Sequence, residues 1–165
     1  AQWFASLDGV HERAEAALAE VQFVPPTGRA RLTAMQRTRD MWCISRQRQW
    51  GVPIPVFYHK ETGEVLATRE SVEHVAALVE ARGTNVWWEA DVAELLPPGV
   101  PAGEWVKGED TLDVWFDSGT SWAAALQQKG VRTPADMYLE GSDQHRGWFQ
   151  SSLQTAAAIG REAPY

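Results

Sequence analysis

Apolar positions recur at helical spacing in several stretches of the chain and alternate in short extended runs between them. Residues 11–22 (HERAEAALAEVQ) set Ala14, Ala17, Leu18 and Val21 at i, i+3, i+4 and i+7, with Glu12, Glu15 and Glu20 on the other faces. That stripe predicts an amphipathic surface helix. Pro25-Pro26 and Gly28 end it, and the Arg-rich residues 29–39 predict a second helix running up to Asp40. Trp42 to Ser45 and Val52 to Tyr58 read as extended segments separated by Gly51, because neither Pro53 nor Pro55 suits a helix interior. Glu61 to Glu64 is a hairpin-like turn. From Thr68 or Glu70 to about Ala81 the pattern is helical again, with Val72, Val75 and Val79 inward and Gly83 in the C′ place. Val86-Trp87-Trp88 predicts a short strand, and Asp91 with Glu94 has the spacing of a capping box before a short helix that ends at Pro97-Pro98.

Two strand-then-helix units follow. Leu112 to Phe116 predicts a strand turning at Asp117-Ser118-Gly119 into a helix over Ser121 to Gln128; Asp136 to Glu140 predicts another, entering a helix over His145 to Ala158. The fold class expected is therefore α/β, with a parallel sheet carrying helices. The organisation expected is residues 1–55 leading into that core, residues 56–108 as a small α+β insertion closed by the Pro- and Gly-rich stretch 97–103, and residues 109–165 as the two β–α units. In such sheets ligands sit beyond the carboxyl ends of the strands, where Asp117-Ser118-Gly119 and Glu140 to His145 both fall.

Composition narrows the class. The chain has 165 residues, 44% hydrophobic and 22% charged, ordinary for a globule, and no run approaches the roughly 18 uncharged apolar residues of a membrane helix. A membrane partner is not expected. The single Cys43 removes an internal disulfide and a cysteine-rich zinc site, which suits a reducing, cytoplasmic setting. The chain starts Ala1-Gln2-Trp3 with neither Met nor a leader pattern, and is expected to be a fragment. Charge is uneven: residues 1–60 hold eight Lys+Arg against five Asp+Glu, residues 61–165 seven against seventeen. Arg29, Arg31, Arg37, Arg39, Arg46 and Arg48, opposed only by Asp40, form either a phosphate-facing surface or a plain solvated one.

Candidate chemistry gathers at one turn. Glu140, Asp143, Gln144 and His145 surround Gly141, which leaves room for a backbone to approach a ligand, and a helix N-terminus supplies free N–H groups. Carboxylates there could take two adjacent ribose hydroxyls or an ammonium group; equally, Ser142 or Asp143 could simply cap the helix. Asp110, Asp113 and Asp117 do not form a convincing metal cluster, since alternation separates them, and His11, His59 and His74 lie on separate elements. No metal ligand set is expected. Trp115 and Trp148, two of nine tryptophans, sit at the two strand-to-helix junctions, where they are either core or the walls of an apolar pocket; periodicity alone favours core. No serine has a nucleophile-elbow setting and no Walker-type loop is present.

Three strings, Asp40 to Pro55 (DMWCISRQRQWGVPIP), Asp110 to Gly119 (DTLDVWFDSG) and Asp136 to Leu153 (DMYLEGSDQHRGWFQSSL), together resemble the isoleucyl-tRNA synthetases, class I enzymes with a Rossmann-type catalytic core. Valyl and leucyl relatives resemble the first string more than the last. The resemblance implies that this is the second half of the core, following the editing insertion. It implies that Glu140 contacts the isoleucyl-adenylate, that Gly141 and Asp143 hold ribose hydroxyls, that Gln144 touches the aminoacyl part, and that Trp115 and Trp148 shape the isoleucine side-chain pocket. Arg46 and Arg48 would then be candidates to face tRNA. The implied substrates are isoleucine, ATP with Mg2+ in the full-length enzyme, and tRNA(Ile), and the implied parent is a monomer. An indole wall suits a branched alkyl group, yet one methylene is worth only about 1 to 3 kcal/mol, a magnitude already known for these enzymes themselves, so valine needs separate hydrolysis.

Two departures bear on activity. The family's His-x-Gly-His signature and its Lys-Met-Ser-Lys-Ser loop are both absent, and adenylate formation relies on such groups for positioning and charge stabilisation at the α-phosphate. The chain is therefore expected to contribute no catalytic residue of its own and to be inactive alone. A non-catalytic RNA-binding module on the same scaffold is the alternative from another class, and a metal-dependent hydrolase on Asp113, Asp117, Asp143 and His145 a more distant one.

Overall fold

Leu7, Val10, Ala14 and Leu18 are all but fully buried, the last three on one face of α1 (Val10–Ala19). This is the amphipathic helix that the apolar spacing predicts, in a computed structural model that describes residues 2–38 and 40–165. Arg39, one of the predicted basic cluster, lies outside the described residues. The chain divides into two units, one made of the residues up to Ile44 with Asp113–Tyr165 and the other of Ser45–Leu112.

The first unit opens with β1 (Phe4–Ser6), α1, α2 (Thr27–Gln36) and β2 (Met41–Cys43). β1 and β2 pair antiparallel, Ala5 opposite Trp42. α2 begins earlier and ends earlier than the Arg-rich segment suggests, and buries Gly28, Leu32 and Gln36. Its Arg29 donates to the carbonyls of Leu18 and Val21 at the end of α1 and lies 5.2 Å over the Phe23 ring. That cation occupies the last carbonyls of a helix, where the helix dipole favours it. The core joins Leu7, Val10, Ala14, Leu18, Leu32 and Trp42 to Leu153, Ala157 and Ala163.

The second unit contains β3 (Ser45–Arg46), β4 (Phe57–His59), β5 (Val65–Leu66), α3 (Arg69–Arg82), α4 (Val86–Glu89), α5 (Val92–Leu95), β6 (Trp105–Lys107) and β7 (Thr111–Leu112). β4 is the centre of an antiparallel sheet, with β5 on one side and β6 on the other, and β3 pairs antiparallel with β7. Thr68 caps α3, its hydroxyl accepting from Ser71 N at 3.2 Å, and Gly83 closes it. Val75 is buried and Val79 packs against the core, whereas Val72, predicted to face inward, is 38% exposed. Residues 86–88 are not a strand but the start of α4: turning the chain helically sends Trp87 into the core against Phe57, ring centroids 5.3 Å apart, with its indole N–H donating to Gly108 O.

The first unit resumes with α6 (Val114–Gly119), a π-helical turn over Trp122–Leu126, a 3₁₀ turn over Gln127–Lys129, a second 3₁₀ turn over Ser142–Arg146 and α7 (Trp148–Ala158). Two predicted strands are corrected here. Residues 112–116 leave the extended conformation at Asp113, whose carboxylate accepts from Trp115 N and starts a helix. Residues 136–140 form no strand, because no neighbouring strand among the described residues offers them backbone partners. All strand pairs of the described residues are antiparallel, so the parallel sheet is not seen. α6 packs on α7 through Gly119, where an added Cβ would come 2.9 Å from the Ser151 backbone, and Thr155 Oγ1 donates to Gly119 O at 2.6 Å.

Lys107 holds the second unit together at one point. Its Nζ donates to Trp87 O at 2.7 Å, Ala90 O at 3.0 Å and Trp88 O at 3.1 Å, the carbonyls at the end of α4. Hydrogen bonds from a charged donor are worth about 1.5–3 kcal/mol. Lys107→Met in the full-length protein should therefore accelerate amide exchange of Phe57–His59 and Trp105–Lys107 roughly 30-fold; unchanged exchange would show that the ammonium is not a structural tie.

Candidate functional site

The residues singled out for adenylate and isoleucine meet where the second 3₁₀ turn runs into α7. Gln144 is the hinge of the arrangement: its Oε1 accepts from Trp148 N at 3.0 Å and its Nε2 donates to Asp143 Oδ2 at 2.9 Å. The first turn of α7 is thus satisfied by Gln144, and neither Ser142 nor Asp143 caps it. Glu140, Gly141 and Asp143 are exposed, as a ligand contact at a helix start requires.

The two tryptophans differ. Trp115, 42% exposed, projects from the first turn of α6 and brings Cη2 to Gly147, 3.1 Å from where a Cβ would stand. Trp148 is 8% exposed; its indole N–H donates to Ser118 O and Ser121 Oγ, both at 3.0 Å, and Tyr138 stacks on its face at 4.0 Å and 12°. Trp115 is therefore half open, and Trp148 is held by α6 and stacked by Tyr138. Trp148 donates its backbone N–H to Gln144 and Trp115 lies against Gly147, both at helix starts and not at strand ends.

Burial and charge single out two further groups. Asp117 on α6 has its carboxyl raised above the ordinary range, first by burial and then by the Asp113 carboxylate. Tyr138 is raised first by burial and then by the Glu140 carboxylate. Tyr138, Ser118 and Ser121 were not among the sequence candidates; the Ser118 carbonyl and the Ser121 hydroxyl lie 30 and 27 residues from Trp148, beyond the reach of local pattern. His145 has Nδ1 2.7 Å from Ser142 O and tilts against Phe149, a packed histidine. Asp113 has one oxygen on Trp42 Nε1 and the other on Trp115 N, which leaves it poorly placed as a metal ligand, and among the described residues no group of three or more His, Cys, Asp or Glu could hold a metal ion.

The arginines divide. Arg29 serves α1, and Arg37 pairs with Glu15, Nη2 to Oε2 2.7 Å. Arg31 and Arg48 are exposed, Arg46 half-buried with Nη1 donating to Ser45 O. Arg46 and Arg48 belong to the second unit, and Arg29, Arg31 and Arg37 to the first.

Residues 1–165 match the family model for class I tRNA synthetases (I, L, M and V). The chain belongs to the class I tRNA synthetases. Similar relatives, each named isoleucine--tRNA ligase, include those of Synechococcus sp. (strain ATCC 27144), 58% identical over 82% of this chain, Prochlorococcus marinus (strain MIT 9313), 58% identical over 99%, and Parasynechococcus marenigrum, 55% identical over 99%. The synthetase chain spans 15 to 17% of the length of these relatives. No helix of the described residues is long and apolar enough to cross a membrane.

Two outcomes follow for this synthetase segment. Gly147 sits at φ −110° and ψ −121°, and a Cβ there would come 2.4 Å from Gln144 Oε1. Gly147→Ala should displace Gln144 and Trp115 and cost about 1–3 kcal/mol in urea unfolding; a variant as stable as wild type would show that the turn yields freely. Asp117 is the second. A carboxyl raised on folding stabilises the fold while protonated and loses that contribution as pH rises through the ordinary and then the raised value. Asp117→Asn should accordingly raise the unfolding midpoint at pH 7 and lose the advantage near pH 3; an equal shift at both pH values would contradict it.

Proposed function

We propose that this chain is the amino-acid- and adenylate-binding part of an isoleucine--tRNA ligase, which joins isoleucine to ATP as isoleucyl-adenylate and passes the isoleucyl group to tRNA(Ile). The observation that carries the reading is the meeting of Gln144, Asp143, Trp115 and Trp148 at one turn, in a chain 58% identical to such an enzyme over 99% of its residues. On this reading the finer fold is the second half of a Rossmann-type sheet, in which residues 136–140 gain strand partners from elsewhere in a longer protein. Such an enzyme would work in the cytoplasm and, as the family resemblance implies, as a monomer.

The roles follow from chemistry. Isoleucine's carboxylate attacks the α-phosphorus of ATP and pyrophosphate leaves, so the task of this segment is to hold the reactants in line. Asp143 and Gly141 take the ribose, its hydroxyls donating to the carboxylate. Glu140 accepts from the adenylate, and Gln144, fixed by Trp148 N, presents its amide to the aminoacyl part. Trp115 offers an apolar face to the branched side chain, with Trp148 behind it. Mg2+ would supply charge neutralisation on the phosphates. Charge stabilisation at the α-phosphate would come from residues outside this chain, so the isolated 165 residues should support no ATP–pyrophosphate exchange.

The full-length enzyme tests the reading. Exchange should depend on isoleucine in preference to valine, and valine preference would instead make this a valyl relative. Trp115→Ala should raise KM for isoleucine roughly 30-fold, the equivalent of about 2 kcal/mol of lost apolar contact, with a smaller change in kcat. An unchanged KM would remove Trp115 from the pocket. The non-catalytic RNA-binding alternative is weakened by Arg29 and Arg37, whose guanidinium groups serve internal carbonyls and Glu15.

A further inference from the structure

The segment 46–52 carries a feature that the adenylate site does not use. Trp50 is 91% exposed, the most exposed large aromatic side chain of the described residues, and its neighbours Arg48 and Gln49 are exposed as well. The loop that carries it is anchored at both ends on β7 and the residues before it. Thr111 Oγ1 donates to Arg46 O at 3.2 Å, Gln47 Nε2 donates to Asp110 Oδ1 at 2.9 Å, and Leu112 N donates to Val52 O at 2.7 Å. An indole on a tethered loop is presented outward at little further cost in chain entropy on binding.

Charge says what kind of surface this is. Residues 45–112 hold eleven Asp+Glu against six Lys+Arg, yet from Ser45 to Trp50 there are two arginines and no carboxylate. Asp110, the acidic group in contact with the loop, is held at its base by Gln47, with Glu109 beside it in sequence. A tryptophan preceded by arginine and glutamine is well suited to unpaired nucleotides. Bases stack on an indole whatever their sequence, and the guanidinium meets the phosphates between them.

We propose that Trp50, with Arg48 beside it, is a stacking platform for an unpaired base of the tRNA. The inference rests on the reading of the whole protein as a tRNA-charging enzyme, and it adds a residue that contacts RNA and not the adenylate.

The full-length enzyme separates the two. Trp50→Ala should leave isoleucine-dependent ATP–pyrophosphate exchange, measured without tRNA, at the wild-type level, while raising KM for tRNA in charging and the Kd for tRNA by about tenfold, as loss of one base–aromatic stack does. Trp50→Phe should recover most of the loss and Trp50→Leu little of it. Arg48→Gln should lower the slope of log Kd against log salt by about one. Binding to tRNA trimmed of its unpaired 3′ end locates the base: a penalty that vanishes on trimming assigns the 3′ end, and one that persists assigns a loop, either supporting the stack. Unchanged tRNA affinity in Trp50→Ala would overturn the proposal, as would an equal fall in exchange or recovery by Leu as good as by Phe, since both mark an apolar contact within the enzyme. If wild type fails to activate isoleucine, the functional reading falls, and the tRNA Kd of Trp50→Ala still judges this proposal by itself.

Discussion

The carboxylate of Asp113 organises the first unit. It is 5% exposed, and a carboxylate withdrawn from water is tolerable only when donors replace the solvent. Trp42 Nε1 supplies one at 2.9 Å and Trp115 N another at 3.2 Å, while the backbone of Asp113 itself donates to Ile44 O at 2.8 Å. One side chain thereby ties the strand β2 to the first turn of α6. It ends the extended run, sets Trp115 on the helix start, and seats α6 so that Gly119 can approach Ser151 on α7. From that packing comes the hold of Ser118 O and Ser121 Oγ on Trp148. The two halves of the candidate pocket depend on the same buried charge.

That dependence explains how much of the fold could be read from residue order. Helices α1 and α3 follow from local periodicity, which needs no knowledge of the rest of the chain, whereas α2, expected from its arginines over 29–39, runs from Thr27 to Gln36 and takes in Gly28, a stop by residue order alone. Val86 to Trp88 misleads because three apolar residues satisfy strand and helix patterns equally, and only the distant Gly108 carbonyl decides which way Trp87 turns. Leu112 to Phe116 misleads for a related reason: Asp113 has the chemistry of a helix cap, but the Trp42 indole that keeps it buried lies 71 residues away. Residues 136–140 have the composition of a strand and lack a partner, and a strand is a property of two segments.

The candidate site was legible in proportion to how local it is. Asp143, Gln144 and Trp148 belong to one turn, and their hydrogen bonds span one to four residues. The convergence of Trp115 on that turn was not inferable from spacing and came from the family resemblance. Tyr138 on the Trp148 face escaped both routes, because stacking at 4.0 Å leaves no periodic trace. Arginine counting leaves a phosphate-facing and a solvated surface open for the six, and two of them, Arg29 and Arg37, meet nearby acceptors within their own unit.

Tryptophan usage separates structure from candidate function more cleanly than exposure alone. An indole can be buried only if its N–H finds an acceptor, and every fully buried tryptophan of the described residues has one: Trp42 on Asp113, Trp87 on Gly108 O, Trp122 on Thr155 Oγ1 and Trp148 on Ser118 O and Ser121 Oγ. These four hold helices and loops in place, and replacing any of them leaves a buried acceptor without its donor as well as a cavity. Trp115 and Trp50 stand apart from that group. One is half open against Gly147, the other almost wholly in water two residues from an arginine, and neither packs as the core tryptophans do. On the proposed function, the open face of Trp115 suits the apolar side chain of an amino acid, and that of Trp50, next to a guanidinium, suits a base between phosphates. On that reading the same side chain serves two recognition problems, distinguished by its neighbours.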